Sequence, residues 1–172
     1  MPDASALLLD HLRTLGRYNQ WANARLYAAC GLLSPEAFSA PRPSFFGSIM
    51  ATLNHILVGD SIWLSRFTGM PAPDITRLDQ ILHTDYAALK AARAAKDATI
   101  VAYCDSLDET ALNATFTYTN TRNETFTDPL LPPLMHFFNH QTHHRGQAHG
   151  LLSHAGIAPP QLDLIHYIRE TT

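Results

Sequence analysis

Apolar side chains recur at helical spacing along four stretches of this chain and alternate with polar ones along a fifth. Over residues 5–32, Leu8, Leu12, Leu15, Tyr18, Ala22, Leu26 and Ala29 share one helical face, and Gly31 and Pro35 follow as stop signals. A loop rich in Pro, Ser and Phe (SAPRPSFFGS) leads to a second helix near 46–67, closed by Gly69 and Pro71. A third helix, rich in Ala, Leu and Lys, is predicted near 83–106. ATFTYTNTRNETFTD then alternates Thr with aromatics around a polar tetrapeptide, the signature of a small hairpin. Pro129, Pro132 and Pro133 introduce a fourth long helix near 132–155, and a tail carrying Leu162, Ile165 and Ile168 is expected to fold back on the body. The pattern predicts an all-α fold: a four-helix bundle with a small β-hairpin insertion before the last long helix, in a single domain over residues 1–172.

Composition narrows the function classes. With 46% hydrophobic and 16% charged residues the chain is globular rather than disordered. A net charge of −3 without any basic run argues against nucleic acid as a partner. No export signal and no membrane-length apolar run is read, so the expected location is cytoplasmic. Cys30 and Cys104 are widely spaced and read as buried thiols rather than a disulfide or metal pair.

The candidate chemistry lies in the fourth helix. NHQTHHRGQAHG, residues 139–150, holds four of the ten histidines, with His136 and His154 just outside it. At about 100° per residue, with His140 at zero, the residues Phe137, Leu134, Ala148, Leu151 and Leu152 span roughly 20–120° and define the core face. His144 falls at about 40°, on the shoulder of that face, whereas His149 lies opposite and His154 is roughly 21 Å up the axis. The i, i+4 pair His140 and His144 is therefore best placed to share one inward-facing ion, with His136 and His140 as the alternative pair.

A third ligand would come from another helix. Among His11, His55, His83 and His166, only His55 stands mid-helix in a strongly apolar segment, IMATLNHILVGDSIWLSRF. Three imidazoles without a fourth protein ligand leave a coordination position for water or substrate, and Zn, Ni, Co and Fe all suit such a set. Gln141 follows His140 where a zinc protease carries a Glu base, which argues against that chemistry. Di-iron carboxylate motifs, a phosphate-binding loop and a nucleophile elbow are all missing.

Neighbouring residues carry subsidiary expectations. Tyr18, Trp21 and Trp63 read as core aromatics, and Asn19 and Asn23 as partners in hydrogen bonds between helices or as pocket-lining groups. Asp60 falls on the apolar side of its helix and needs a partner, for which Arg145 or a fourth-helix histidine is expected. Gly146 suggests close approach of another backbone, Gln147 lies on the ligand side facing substrate, and His143 is either a proton shuttle or a solvated surface residue. Phe45, Phe46, Ile62 and Leu64 point away from the face of Leu53 and Ile56, leaving apolar surface for loops or a homodimer.

The segments YNQWANARLY, LNHILVGDSIWLSRF and FNHQTHHRGQ resemble the DinB family, the damage-inducible branch of the DinB/YfiT-like group of metal-dependent bundles, over nearly the whole chain. The resemblance implies a four-helix bundle, commonly a homodimer, whose divalent metal is held at the positions of His55, His140 and His144. It also implies kinship with enzymes that activate a low-molecular-weight thiol in transferase or isomerase reactions. Two function classes stand at this point: a metal-dependent enzyme acting on a small-molecule substrate through thiol or water, and a non-catalytic protein whose metal staples the bundle or whose pocket senses a ligand.

Overall fold

The computed structural model describes residues 3–71, 74–120 and 122–171. The elements are α1 (Ala4–Cys30), α2 (Pro35–Ser39), α3 (Ile49–Thr68), α4 (Tyr86–Ser106), α5 (Glu109–Leu112), β1 (Thr115–Thr119), β2 (Thr125–Pro129), α6 (Leu131–His154) and α7 (Leu164–Thr171). Side-chain caps set the starts: Ser48 Oγ accepts from the Ala51 amide at 3.0 Å for α3, and Asp85 from the Ala88 amide at 2.8 Å for α4. Pro132 and Pro133 occupy the first turn of α6, where a missing N–H costs nothing. Gly69, at φ 66°, ends α3 in the left-handed conformation. The long helices α1, α3, α4 and α6 close a ring, α1 packing on α4 and α6, and α3 on the same two.

The interior is layered by polarity along the bundle axis. One apolar cluster contains Leu26, Ile49, Leu53, Leu57, Leu89 and Leu152. Apart from a small third cluster of Tyr18, Ala22 and Tyr167, the other contains Leu12, Leu64, Ile100, Leu134 and Phe137. Between them on every long helix come buried polar residues: Asn19 and Asn23, Asp60, Arg93 and Asp97, Gln141 and Arg145. Arg93 Nη1 donates to Asp60 Oδ2, and its Nη2 lies 2.8 Å from Asp97 Oδ1. Asn19 and Asn23 donate to Asp97 Oδ1 at 3.1 and 2.9 Å, while Arg145 donates to Asn19 Oδ1 at 2.6 Å. The two carboxylates and two guanidinia balance in charge, the condition for keeping ions in a low-dielectric interior.

This network corrects the expectation for Asp60. Its partners are Arg93 and Gln141, not Arg145 or a histidine, because Arg145 is drawn toward the α1 amides. Asn19 and Asn23 do serve as hydrogen-bonding residues between helices.

The tail returns to the body, and of the side chains expected to carry it Leu162 packs against the core. Tyr167 is buried and Tyr18 Oη donates to Leu162 O at 2.7 Å, whereas Ile165 and Ile168 remain 46% and 39% exposed. Trp21 and Trp63 are half-buried rather than fully core. Leu64 belongs to the interior, and Phe45 alone of the four apolar residues set against the Leu53 face stands open, at 86% exposure. Gly146 has open space where a Cβ would stand, so no backbone approaches it.

The hairpin forms as its alternation dictates. β1 and β2 pair antiparallel, Thr117 facing Thr127, and the aromatic side turns to the bundle, where the Tyr118 ring centroid is 5.5 Å from that of Trp63. No helix among the described residues is long and apolar enough to cross a membrane.

Candidate metal centre

α3 and α6 pack side by side, and their facing surfaces bring three imidazoles to one point. His55 Nε2 lies 3.2 Å from His140 Nε2 and 3.2 Å from His144 Nε2. One nitrogen from each ring falls within 4.8 Å of the others, the one cluster of metal-ligating groups among the described residues. His136 stays outside it, its ring centroid 5.8 Å from that of His140, so the alternative pairing is not the one assembled.

The backbone and neighbouring side chains dictate how these rings point. Asn54 accepts from the Leu82 and His83 amides at 2.8 and 2.9 Å and donates to His83 O at 2.9 Å, pinning the α3–α4 connection against α3. That connection delivers Leu78 O, which accepts from His55 Nδ1 at 2.8 Å. A carbonyl can only accept, so His55 carries its proton on Nδ1 and turns a bare Nε2 inward. On α6, His144 Nδ1 meets Gln147 Oε1 at 2.8 Å, and Gln147 Nε2 meets His143 Nε2 at 3.2 Å. Gln147 therefore orients a ring of the triad, and His143 is an exposed end of the same chain.

Close approach of α3 is achieved at Gly59, one turn beyond His55. A Cβ there would stand 2.8 Å from His140 Cε1. Phe46 lies over the triad from the connecting loop, stacked on His55 at 4.1 Å between centroids and edge-on to His144 at 5.4 Å. The sequence marked Phe46 as surplus surface; helical periodicity cannot report where a loop side chain lands. Gly59 was legible in principle, as the smallest residue on the His55 face at i+4.

Burial, followed by the neighbouring imidazoles, drives the His140 pKa down to about 3, and burial lowers His55 and His144 below the ordinary histidine range. The three rings are thus neutral at physiological pH, and His55 turns its bare Nε2 toward the other two. One step away, burial raises Asp60, opposed by Arg93 and the Gln141 amide, which donates to Asp60 Oδ1 at 2.9 Å. Gln141 ties α6 to Asp60 from the residue next to His140.

A cavity of about 290 Å³ opens beside His55 and His140, bordered also by Trp63, Arg66, Asn120 and His136. Sequence reasoning missed this wall, since hairpin and α3 residues meet there only in the folded chain.

A helical bundle with a neutral imidazole triad between two adjacent helices, and a small cavity against it, is the class of protein that fold and site define. The chain belongs to the DinB family, whose sequence model matches residues 6–172. It is similar to Protein DinB of Bacillus subtilis (strain 168), 26% identical over 165 residues covering 92% of this chain and 94% of that protein. It also resembles in fold the crystal structure of a DinB-like protein from Bacillus cereus ATCC 10987, with a TM-score of 0.61 at 20% identity, over 81% of this chain and 89% of that one.

Proposed function

We propose that His55, His140 and His144 hold one divalent transition-metal ion through Nε2, and that the protein is a metal-dependent enzyme acting on a small molecule in the adjoining cavity. The observation carrying this reading is the His55 ring: its Nδ1 is committed to Leu78 O, and its bare Nε2 is 3.2 Å from each of two further imidazole nitrogens. A bare Nε2 at that distance from two other ring nitrogens needs a proton or a cation between them, and one ion can serve all three rings where one proton serves only a pair. Tetrahedral ligands with metal–nitrogen bonds of about 2.0–2.1 Å stand about 3.4 Å apart, so the donors fit the ion. Zn, Ni, Co and Fe all accept such nitrogen donors.

When bound, the ion would lower the pKa of a thiol or water and so supply a nucleophile near neutral pH, for transfer, isomerisation or hydrolysis. The chain's own residues do the rest. Leu78 O and Gln147 hold the ring orientations, and Phe46 closes one side of the triad against solvent. His136, lining the cavity where His143 does not, is the imidazole available to exchange a proton with a bound molecule. The cavity favours an enzyme over a purely structural staple, which needs no void beside its ligands. Elemental analysis of untagged protein tests the reading: about one ion per chain is expected, and an ion content unchanged in His140→Ala/His144→Ala protein defeats it.

A further inference from the structure

Arg66 shares the cavity with His55 and His140. Its guanidinium carbon sits 4.7 Å from the Trp63 ring centroid and 5.0 Å from that of Tyr118, so two aromatic faces from α3 and β1 hold it in place. It is half-buried, yet among the described residues it has no ion-pair or hydrogen-bond partner. The buried arginines behave otherwise: Arg93 faces two carboxylates and Arg145 has the Asn19 amide. Burial pulls the Arg66 pKa below the usual arginine range, the mark of a cation that has lost water without gaining a counter-charge.

The rest of the wall offers nothing to neutralise it. Imidazoles, apolar side chains and Asn120 line the cavity, with no Asp or Glu among the described residues. Asn120 is spent on its own turn, accepting from the Arg122 and Glu124 amides and donating to Glu124. Arg66 is thus a fixed, unpaired fork of donors at the mouth of a site whose other pole is proposed to hold a divalent cation. Such a fork pairs with planar anions in bidentate fashion.

We infer that the cavity takes a small organic carboxylate, its anionic end held by Arg66 and its other end directed at the imidazole triad. This rests on the metal-site reading above. A volume of about 290 Å³ limits the ligand to a short molecule.

The test uses zinc-loaded full-length protein and isothermal titration with mercaptoacetate, 3-mercaptopropionate and the methyl ester of each. The expected result is that at least one acid binds about ten-fold tighter than its ester, that Arg66→Met removes the difference, and that Arg66→Lys restores part of it. Thermal melts of the variants check that they fold. If zinc is taken up while acid and ester bind alike, the inference falls and the metal site stands. If Arg66→Met only lowers the melting temperature and keeps the acid preference, Arg66 is packing and the inference falls. If wild-type protein takes up no zinc, both readings fall together.

Discussion

Gly59 and His140 face each other so closely that a single methyl group on the glycine would lie 2.8 Å from the imidazole Cε1. The ring edge at risk belongs to a member of the triad, and Gly59 sits inside a helix where Ala is the better helix former by about 1 kcal/mol. Gly59→Ala is therefore expected to leave the chelated protein as stable as wild type or slightly more so, while cutting retained metal several-fold. Ion content and apo melting temperature, measured on the same preparation, check both halves. Full metal retention would mean that the ring moves aside at no cost.

Arg93 answers two buried carboxylates at once. Arg93→Met would strand Asp60 and Asp97 in the interior, with an expected loss of about 3–5 kcal/mol, whereas the triple change Arg93→Met/Asp60→Asn/Asp97→Asn should recover a large part of it. Urea denaturation of the set decides.

Asp97 carries a pH signature. Burial pushes its carboxyl up to about 6, against attraction from Arg93 and the Asn23 hydrogen bond. A native pKa above that of the unfolded chain means that the native state keeps the proton longer. Stability from this group is therefore greatest below about pH 4 and declines as pH rises toward about 6. The difference in unfolding free energy between wild type and Asp97→Asn, followed in chelator across that window, should carry this slope. A flat difference curve refutes it.

The imidazole triad has the opposite sense. Its members are held below the ordinary histidine range, so in chelated protein they favour the fold above about pH 6.5, and that contribution is lost as pH falls through their native values. Added metal binds only neutral rings. At a hundred-fold excess over its dissociation constant it should stabilise by about 2.7 kcal/mol near neutral pH, raising the melting temperature over that of chelated protein. The gap should close on acidification to below about pH 5. A chelator without effect at neutral pH would count against the metal.

How far the sequence carried these features depended on whether they lie along one helix or between several. His140 and His144 were legible because i, i+4 spacing places two rings on one face, and His55 because a lone imidazole in an apolar helix asks for a partner. The start of α6 followed from the Pro132–Pro133 pair. By contrast, α3 and α4 begin at Ile49 and Tyr86, after the caps Ser48 and Asp85 that the predicted starts near 46 and 83 passed over. The partner of Asp60 was not legible. Periodicity reports which face is buried but not which neighbour the crossing of two helices presents, and Arg93 sits in an Ala- and Lys-rich segment that reads as solvated. Phe46 and Arg66 escaped for a related reason, since their roles arise where a loop or a hairpin meets α3. The homodimer expectation lost support in the same way: Phe46 covers the triad and Leu64 is interior, leaving that expectation to the family resemblance.

The hydrogen bond from Gln141 to Asp60 sits next to His140 in sequence and spans the same two helices as the imidazole triad. If α6 slid along α3 by one turn, about 5.4 Å, the apolar faces would still find apolar faces. The carboxylate of Asp60, however, would lose its amide donor in a dry interior, at a cost oil-like packing cannot refund. The polar stratum thus acts as a detent against sliding, and the setting it enforces is the one in which three rings meet. Selection on foldability and selection on the site would then act through adjacent side chains, so neither could drift without disturbing the other.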